Sequence, residues 1–289
     1  KHRNPLRHCR GRQLHRSGNA DITGIATGAR GNFTGKRPGF GKTCRNHAGR
    51  ALAKTVMAAA AIDAAIDTIT DQTVRYVINS GGQDHRWLGN GYWQSQGATV
   101  IASQAAVEDQ IARGSQQLSA LSQFLGDQLS GTQPAYADVS FANNYTLELG
   151  GITFEITHAG QAHTPGDSFV WVPAKDTVFT GDIVYVERIL GNGVQSNVKS
   201  WIDVFEAMAA LTPSHVVPGH GHATTLETAT IDTYSYLVNL RTQIGALIEN
   251  GGDIMDAPKI DQSAFAYLEQ FDSLAGRNAQ TTYEQMEWE

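Results

Sequence analysis

The sequence predicts a layered α/β domain of two mixed sheets with helices outside, preceded by a basic segment. Three observations carry this. A β-branched run at residues 73–79 is followed by a helical turn and a second apolar run at 98–102, a strand–helix–strand unit of the kind that builds layered α/β domains. Short strand-like runs then follow one another from residue 138 to residue 180. Finally, three segments each place a His or Asp at the end of an apolar run, at a Gly-rich turn: His163-Thr-Pro-Gly-Asp167, Thr180-Gly-Asp182 and Val217-Pro-Gly-His-Gly221.

The elements follow in order. Residues 55–71 read as a helix, because Val56, Ile62, Ile66 and Ile69 recur at helical spacing in an Ala-rich run. Residues 73–79 form a strand, 92–96 a helical turn and 98–102 a second strand. Residues 103–125 form a longer helix with Ser103 as N-cap and a buried stripe of Ala106, Ile111, Leu118, Leu121 and Phe124. Strands are expected at 138–141, 145–149, 152–157, 168–172 and 177–180, with Gly150-Gly151 as a hairpin turn. Residues 200–211 are helical with Ser200 as N-cap, and a short strand at 215–217 leads into the last Gly-rich turn. A long helix covers 225–250, with Leu237, Leu240, Ile244 and Leu247 as its apolar face and Gly251-Gly252 as its stop. The tail from about 261 to 288 reads as further helix.

Charge divides the chain. Residues 1–54 hold 13 Lys/Arg against one acid, Asp21, so the remainder holds 9 basic and 27 acidic residues of the totals 22 and 28. Residues 1–54 are Gly-rich without apolar periodicity and read as disordered. Three origins compete for them: an arm for an acidic surface or nucleic acid, a targeting segment, or a stretch foreign to the fold. The predicted domain is residues 55–289. No run approaches the roughly 18–20 apolar residues of a membrane helix. Both cysteines, Cys9 and Cys44, lie in the basic segment, so no Cys-based site is expected in the domain.

His and Asp suit zinc or a similar divalent ion, and strand ends aim several ligands into one cleft. Other catalytic classes find little support. There is no Gly-x-Ser-x-Gly elbow and no Cys–His pair in the domain. Gly35–Thr43 ends in Gly-Lys-Thr, but a phosphate loop would need Gly at the position of Lys36.

Taken together, the three segments resemble the metallo-β-lactamase superfamily in order and rough spacing, over about residues 55–289. The resemblance implies a four-layer αββα sandwich, with His163, Asp182 and His220 as metal ligands. The family's opening β-hairpin and Asp-Thr-Gly turn have no counterpart in residues 1–54. The ending from Gly276 to Glu287 resembles metallohydrolases found with quinoprotein and sulfur-oxidation systems.

The family's His-x-His-x-Asp-His motif is where this chain departs. It reads Val77-Ile-Asn-Ser-Gly-Gly-Gln-Asp-His-Arg-Trp-Leu-Gly-Asn90. Its flanks match, but the two leading His positions fall on Gly81 and Gln83. Without a gap, Asp-His falls on His85-Arg86; with a one-residue slip, it falls on Asp84-His85. The slipped reading gives Asp84, His85, His163, Asp182 and His220 as metal residues, with Asp84 also orienting or deprotonating the attacking water. Gln83 and Arg86 are structural or substrate-contacting, His158 and His222 are neighbours that could replace a lost ligand, and His215 is a strand residue.

The resemblance implies a metal-dependent hydrolase acting on a small-molecule ester, thioester, lactone, amide or β-lactam. Zinc is the expected ion, with iron or manganese as alternatives, and one ion rather than two. The rival is a degenerate member that binds a small molecule or serves as a scaffold. A nucleic-acid partner is not expected, because the nuclease branches keep the His-rich motif. Export to the periplasm is common among relatives.

Overall fold

The structure is a computed structural model and describes residues 55–289 together with the strand β1 (Ile25–Thr27). The expectation of disorder for residues 1–54 and the absence of the opening hairpin otherwise fall outside the described residues.

The first sheet has the order β1–β2–β3–β4, formed with β2 (Tyr76–Asn79), β3 (Thr99–Ser103) and β4 (Val139–Phe141). All three of its pairings are parallel, so this sheet is not mixed. The second sheet runs β5 (Asn144–Leu149), β6 (Ile152–Thr157), β7 (Phe169–Val172), β8 (Thr177–Tyr185) and β9 (His215–His220). It is antiparallel up to β8 and closes with a parallel β8–β9 pair. Gly150 and Gly151 make the β5–β6 hairpin turn, with φ of 61° and 75°, a geometry that favours glycine at both positions.

Alternation along the strands separates two cores. Ile78 and Ile101 point toward Phe154, Ile156, Val170 and Val172 of the second sheet. Their neighbours Val77 and Val100 join Ala59 and Trp93 beneath the helices α1 (Val56–Ile66) and α3 (Asn90–Ser95). On the far side, Val178 and Ile183 pack with Trp201, Phe205, Tyr236 and Leu240. These come from α5 (Val198–Ala209) and α7 (Ser235–Glu249), and α8 (Phe271–Met286) adds Ala275 and Ala279. The result is the four-layer helix–sheet–sheet–helix sandwich.

Several expectations are corrected. The cap of α5 is Asn197, whose side chain accepts from Ser200 N at 2.9 Å; Ser200 lies inside the first turn. The long helix is interrupted: α6 (Leu226–Ala229) passes through a π turn at Thr230–Tyr234 before α7 begins. Strand β8 runs five residues beyond the expected end at Thr180, carrying Asp182 within it.

The largest correction concerns α4 (Gln104–Leu125), capped as expected by Ser103, which accepts from Ala106 N at 3.1 Å. Of its expected stripe, Ala106 and Leu121 are buried, but Ile111 is 57% and Phe124 83% exposed. The buried face instead includes Asp109, Gln110, Gly114 and Gln117. That face lies over a loop rich in backbone carbonyls, and polar side chains answer them.

Candidate metal centre

Loop 80–83 leaves β2 and enters the short helical turn α2 (Asp84–Trp87). Gln110 Nε2 donates to Gly81 O at 3.3 Å, and Gln117 Nε2 to Gly82 O at 2.9 Å. Gln117 Oε1 in turn accepts from Trp87 Nε1 at 2.9 Å. From below, Asn79 Nδ2 donates to the Arg86 carbonyl at 2.9 Å and to Asn90 Oδ1 at 3.0 Å. This network answers buried carbonyls that would otherwise lack donors. It fixes where His85 and Arg86 start.

On the opposite side, β8 and β9 bring in Asp182 and His220. Their pairing register shifts on both sides of Gly181, so the ladder is irregular where Asp182 emerges. Gly181 holds φ at 54°, and a Cβ on Gly219 would lie 1.9 Å from Gly181 O. Glycine at 219 therefore lets the two turns touch backbone to backbone.

Three side chains converge. His85 Nε2 lies 3.1 Å from Asp182 Oδ2, and His220 Nε2 lies 3.0 Å from Asp182 Oδ1. Their donor atoms all fall within 4.8 Å of one another. Asp84 stands behind this group: its Oδ1 lies 3.1 Å from His85 Nδ1 and accepts from His85 N at 2.6 Å. A proton on Nδ1 facing that carboxylate leaves the Nε2 lone pair aimed at the cluster, the usual support of a metal-binding imidazole. His85 Nε2 and His220 Nδ1 are buried without a hydrogen-bond partner.

Asp84 and His163 are not drawn into the three-residue cluster. His163 Nδ1 donates to Gly191 O at 2.9 Å, which leaves its Nε2 lone pair available. Its ring packs against Tyr185 and Trp201 at 5.9 and 5.7 Å between centroids. Gln83 precedes α2 and gives no side-chain cap. His158 Nδ1 donates to the Asp167 carbonyl at 2.7 Å, His222 pairs with Glu187 at an exposed position, and His215 is exposed.

Arg86 is buried against Asp182. It is 5% exposed, and its fork grips Asp182, Nε donating to Oδ2 at 3.0 Å and Nη2 to Oδ1. Burial alone would raise the Asp182 carboxyl, but the charge of Arg86, with His85 and His220, holds it well below the usual carboxylate range. Burial lowers the His220 imidazole to about 4, against the pull of Asp182, so it is neutral and able to bind a cation at neutral pH. Burial, followed by the Asp182 charge, pushes the Tyr185 phenol well above its ordinary value. That ring stacks on His220 at 4.4 Å.

Asp167 had no role assigned from sequence, although it ends the His-Thr-Pro-Gly-Asp turn. It is buried, its Oδ2 accepting from Thr164 N at 2.7 Å and its Oδ1 from Thr164 Oγ1 at 2.6 Å. Burial, then the charge of Asp182, raises its carboxyl to about 7. A Cβ on Gly81 would lie 2.3 Å from Asp167 Oδ1. The His85, Asp182 and His220 donor atoms could together hold a metal ion, and a side chain at position 81 would have to displace the Asp167 carboxylate.

A second tether comes from the end of the chain. Asn278 Nδ2 donates to Leu190 O at 2.8 Å and Asn278 Oδ1 accepts from Asn192 N at 2.9 Å. Gln285 Nε2 donates to Ser196 O at 2.8 Å. The loop so held carries Gly191 O against His163, and Ser196 Oγ donates to the His163 carbonyl at 3.0 Å.

The family model of the metallo-β-lactamase superfamily matches residues 55–220. The chain belongs to that superfamily. Among curated proteins it is similar to the type 2 metallo-β-lactamase of Bacteroides fragilis, 28% identical over 85 residues. That alignment covers 28% of this chain and 34% of the relative, so the chain matches about a third of that protein. Among solved structures, a metallo-β-lactamase from Pontibacter korlensis superposes with TM-score 0.53 and 22% identity, covering 65% of this chain and 81% of the other. TMB-1 gives TM-score 0.52 at 17% identity, covering 64% and 77%. These likenesses show the fold. Superfamily membership and the His85, Asp182 and His220 group, which could hold a metal ion, agree in pointing to a metal site. No helix among the described residues is long and apolar enough to cross a membrane.

Proposed function

We propose that this protein is a hydrolase working with one divalent ion, zinc by preference, on an ester, thioester, lactone or β-lactam bond of a small molecule. The observation that carries the reading is the convergence of His85, Asp182 and His220, with Asp84 orienting His85 from behind. An ion held there would lower the pKa of bound water toward about 7 and polarise a carbonyl oxygen. The chain supplies the rest. Asp84 fixes the His85 ring, so it serves as a positioning residue. Arg86 keeps Asp182 ionised and aimed. His163 borders the group with an available Nε2, and the protonated Tyr185 phenol, stacked on His220, walls it.

The test is zinc-loaded full-length protein against a panel of p-nitrophenyl esters, thioesters, lactones and a chromogenic cephalosporin. Turnover lost on chelation and in a folded Asp182→Asn variant is expected. The loss of ligands at Gly81 and Gln83 favours a second reading, a binding or scaffold protein without turnover. That reading gains if zinc binds but no panel member is hydrolysed.

A further inference from the structure

We propose that the Arg86 guanidinium is the permanent second cation of this centre, neutralising Asp182 where a second metal ion would otherwise do so. The inference deepens the one-ion reading above and rests on it for the site's location, but the role of Arg86 stands on contacts within the chain.

The pair is closed and rigid. The side chains of Arg86 and Asp182 are each 1% exposed. A fork meeting both carboxylate oxygens is the strongest form of such a pair and the most fixed in direction. The Arg86 carbonyl is pinned by Asn79 at 2.9 Å, so the α2 turn carrying the guanidinium is held from below. The same two oxygens face His85 and His220 at 3.1 and 3.0 Å. Each oxygen thus accepts from one guanidinium nitrogen and lies close to one imidazole nitrogen. The Asp182 carboxylate and the Arg86 guanidinium sum to zero charge.

Space excludes the alternative. A side chain at position 81 would begin 2.3 Å from Asp167 Oδ1 and 3.2 Å from Thr164 Oγ1. One at position 82 would begin 1.9 Å from Asp109 Oδ2. Asp167 and Asp109 are themselves fixed, by Thr164 and by Arg113. The glycines are therefore fitted to their neighbours, and restoring a histidine at 81 would have to displace a buried carboxylate. A second divalent ion would meet a fixed guanidinium on the same carboxylate, with repulsion at low dielectric.

The experiment measures zinc per chain and thermal unfolding, with and without chelator, on the full chain and three variants. Wild type is expected to bind no more than one zinc and to unfold cooperatively when metal-free. Arg86→Met removes the charge at similar volume and should lower the metal-free Tm by roughly 10 °C, the effect of stranding a buried carboxylate. Zinc should recover most of that loss in Arg86→Met, because a divalent ion then replaces the missing charge. Gly81→His with Gln83→His, in the presence of Arg86, should gain no second ion. Arg86→Lys guards against a variant that fails to fold; it should fall between the two in stability and bind one ion at most.

Two ions in wild type or in Arg86→Lys would overturn the proposal. So would a metal-free Arg86→Met as stable as wild type, or one that zinc does not stabilise. The two readings fail separately. Zinc binding by Arg86→Met but not by wild type, or the expected stabilities without any hydrolysis, removes the hydrolase and leaves Arg86 in its role.

Discussion

The two sheets contribute to one centre by opposite means. From the second sheet, Asp182 and His220 are delivered by strand ends whose backbones touch, Gly219 against Gly181. From the first, His85 and Arg86 sit on a short turn whose loop is held by amides of α4 at Gly81 O and Gly82 O. The strand-end side presents Asp182 and His220 at Gly-rich turns. The loop side carries Gly81 and Gln83 ahead of His85 and holds its shape through a neighbouring helix. A ligand on a strand end is positioned by the ladder, whereas a loop needs a partner to answer its carbonyls.

The most severe break of this comparison is Asp182→Ala, which removes the residue both sides share. It strands the Arg86 guanidinium, 1% exposed, and should cost about 3–5 kcal/mol in chemical denaturation along with bound zinc. Next, alanine at Gly219 and at Gly81 should separate the sides. Gly219→Ala drives a Cβ onto backbone at 1.9 Å, whereas Gly81→Ala meets a side-chain oxygen at 2.3 Å. Both should lose stability of order 1–3 kcal/mol, with Gly219→Ala the worse because backbone cannot rotate away. Equal midpoints would undo the contrast between a backbone contact at Gly219 and a side-chain contact at Gly81.

Asp84→Asn should weaken zinc affinity by roughly 10–100-fold while leaving Tm of the metal-free protein near wild type. An unchanged dissociation constant in calorimetry would remove Asp84 from its place behind His85.

The smallest effect is in pH, because two groups oppose each other. His220, lowered from 6.5 to about 4, adds stability that is complete above 6.5 and is lost as pH falls toward 4. Asp167, raised from 3.8 to about 7, favours its protonated form, so its contribution is complete below 3.8 and is lost as pH rises toward 7. His163, also lowered by burial, acts in the same direction as His220. His220→Gln should therefore gain less stability, or lose more, than metal-free wild type as pH rises from about 4 to about 7, and a variant curve parallel to wild type would refute the opposition.

How much of this was legible follows the same division. The strand ends were readable because Asp182 and His220 each follow an apolar run and sit at a Gly-rich turn, so both could be named with their elements. His85 falls within the motif under either alignment, and the one-residue slip places it at the His position. Arg86 was not readable as the partner of Asp182, since nothing at position 86 signals a carboxylate 96 residues away. The polar face of α4 was misjudged for a related reason. Apolar periodicity selected Ile111 and Phe124, but that helix covers carbonyls, and Gln110 and Gln117 are buried for their amides. Asn197 displaced Ser200 as cap because either side chain suits an N-terminus and only the backbone path decides.

The tether from α8 has a consequence for how such chains diversify. Asn278 and Gln285 reach 86 to 89 residues back along the chain to hold the segment that carries Gly191 and Ser196 against His163. The last helix and the rim of the centre are thus held as a unit. A graft of this rim onto another scaffold would need its terminal helix as well, and a terminus trimmed for convenience would alter the candidate site before it altered the fold.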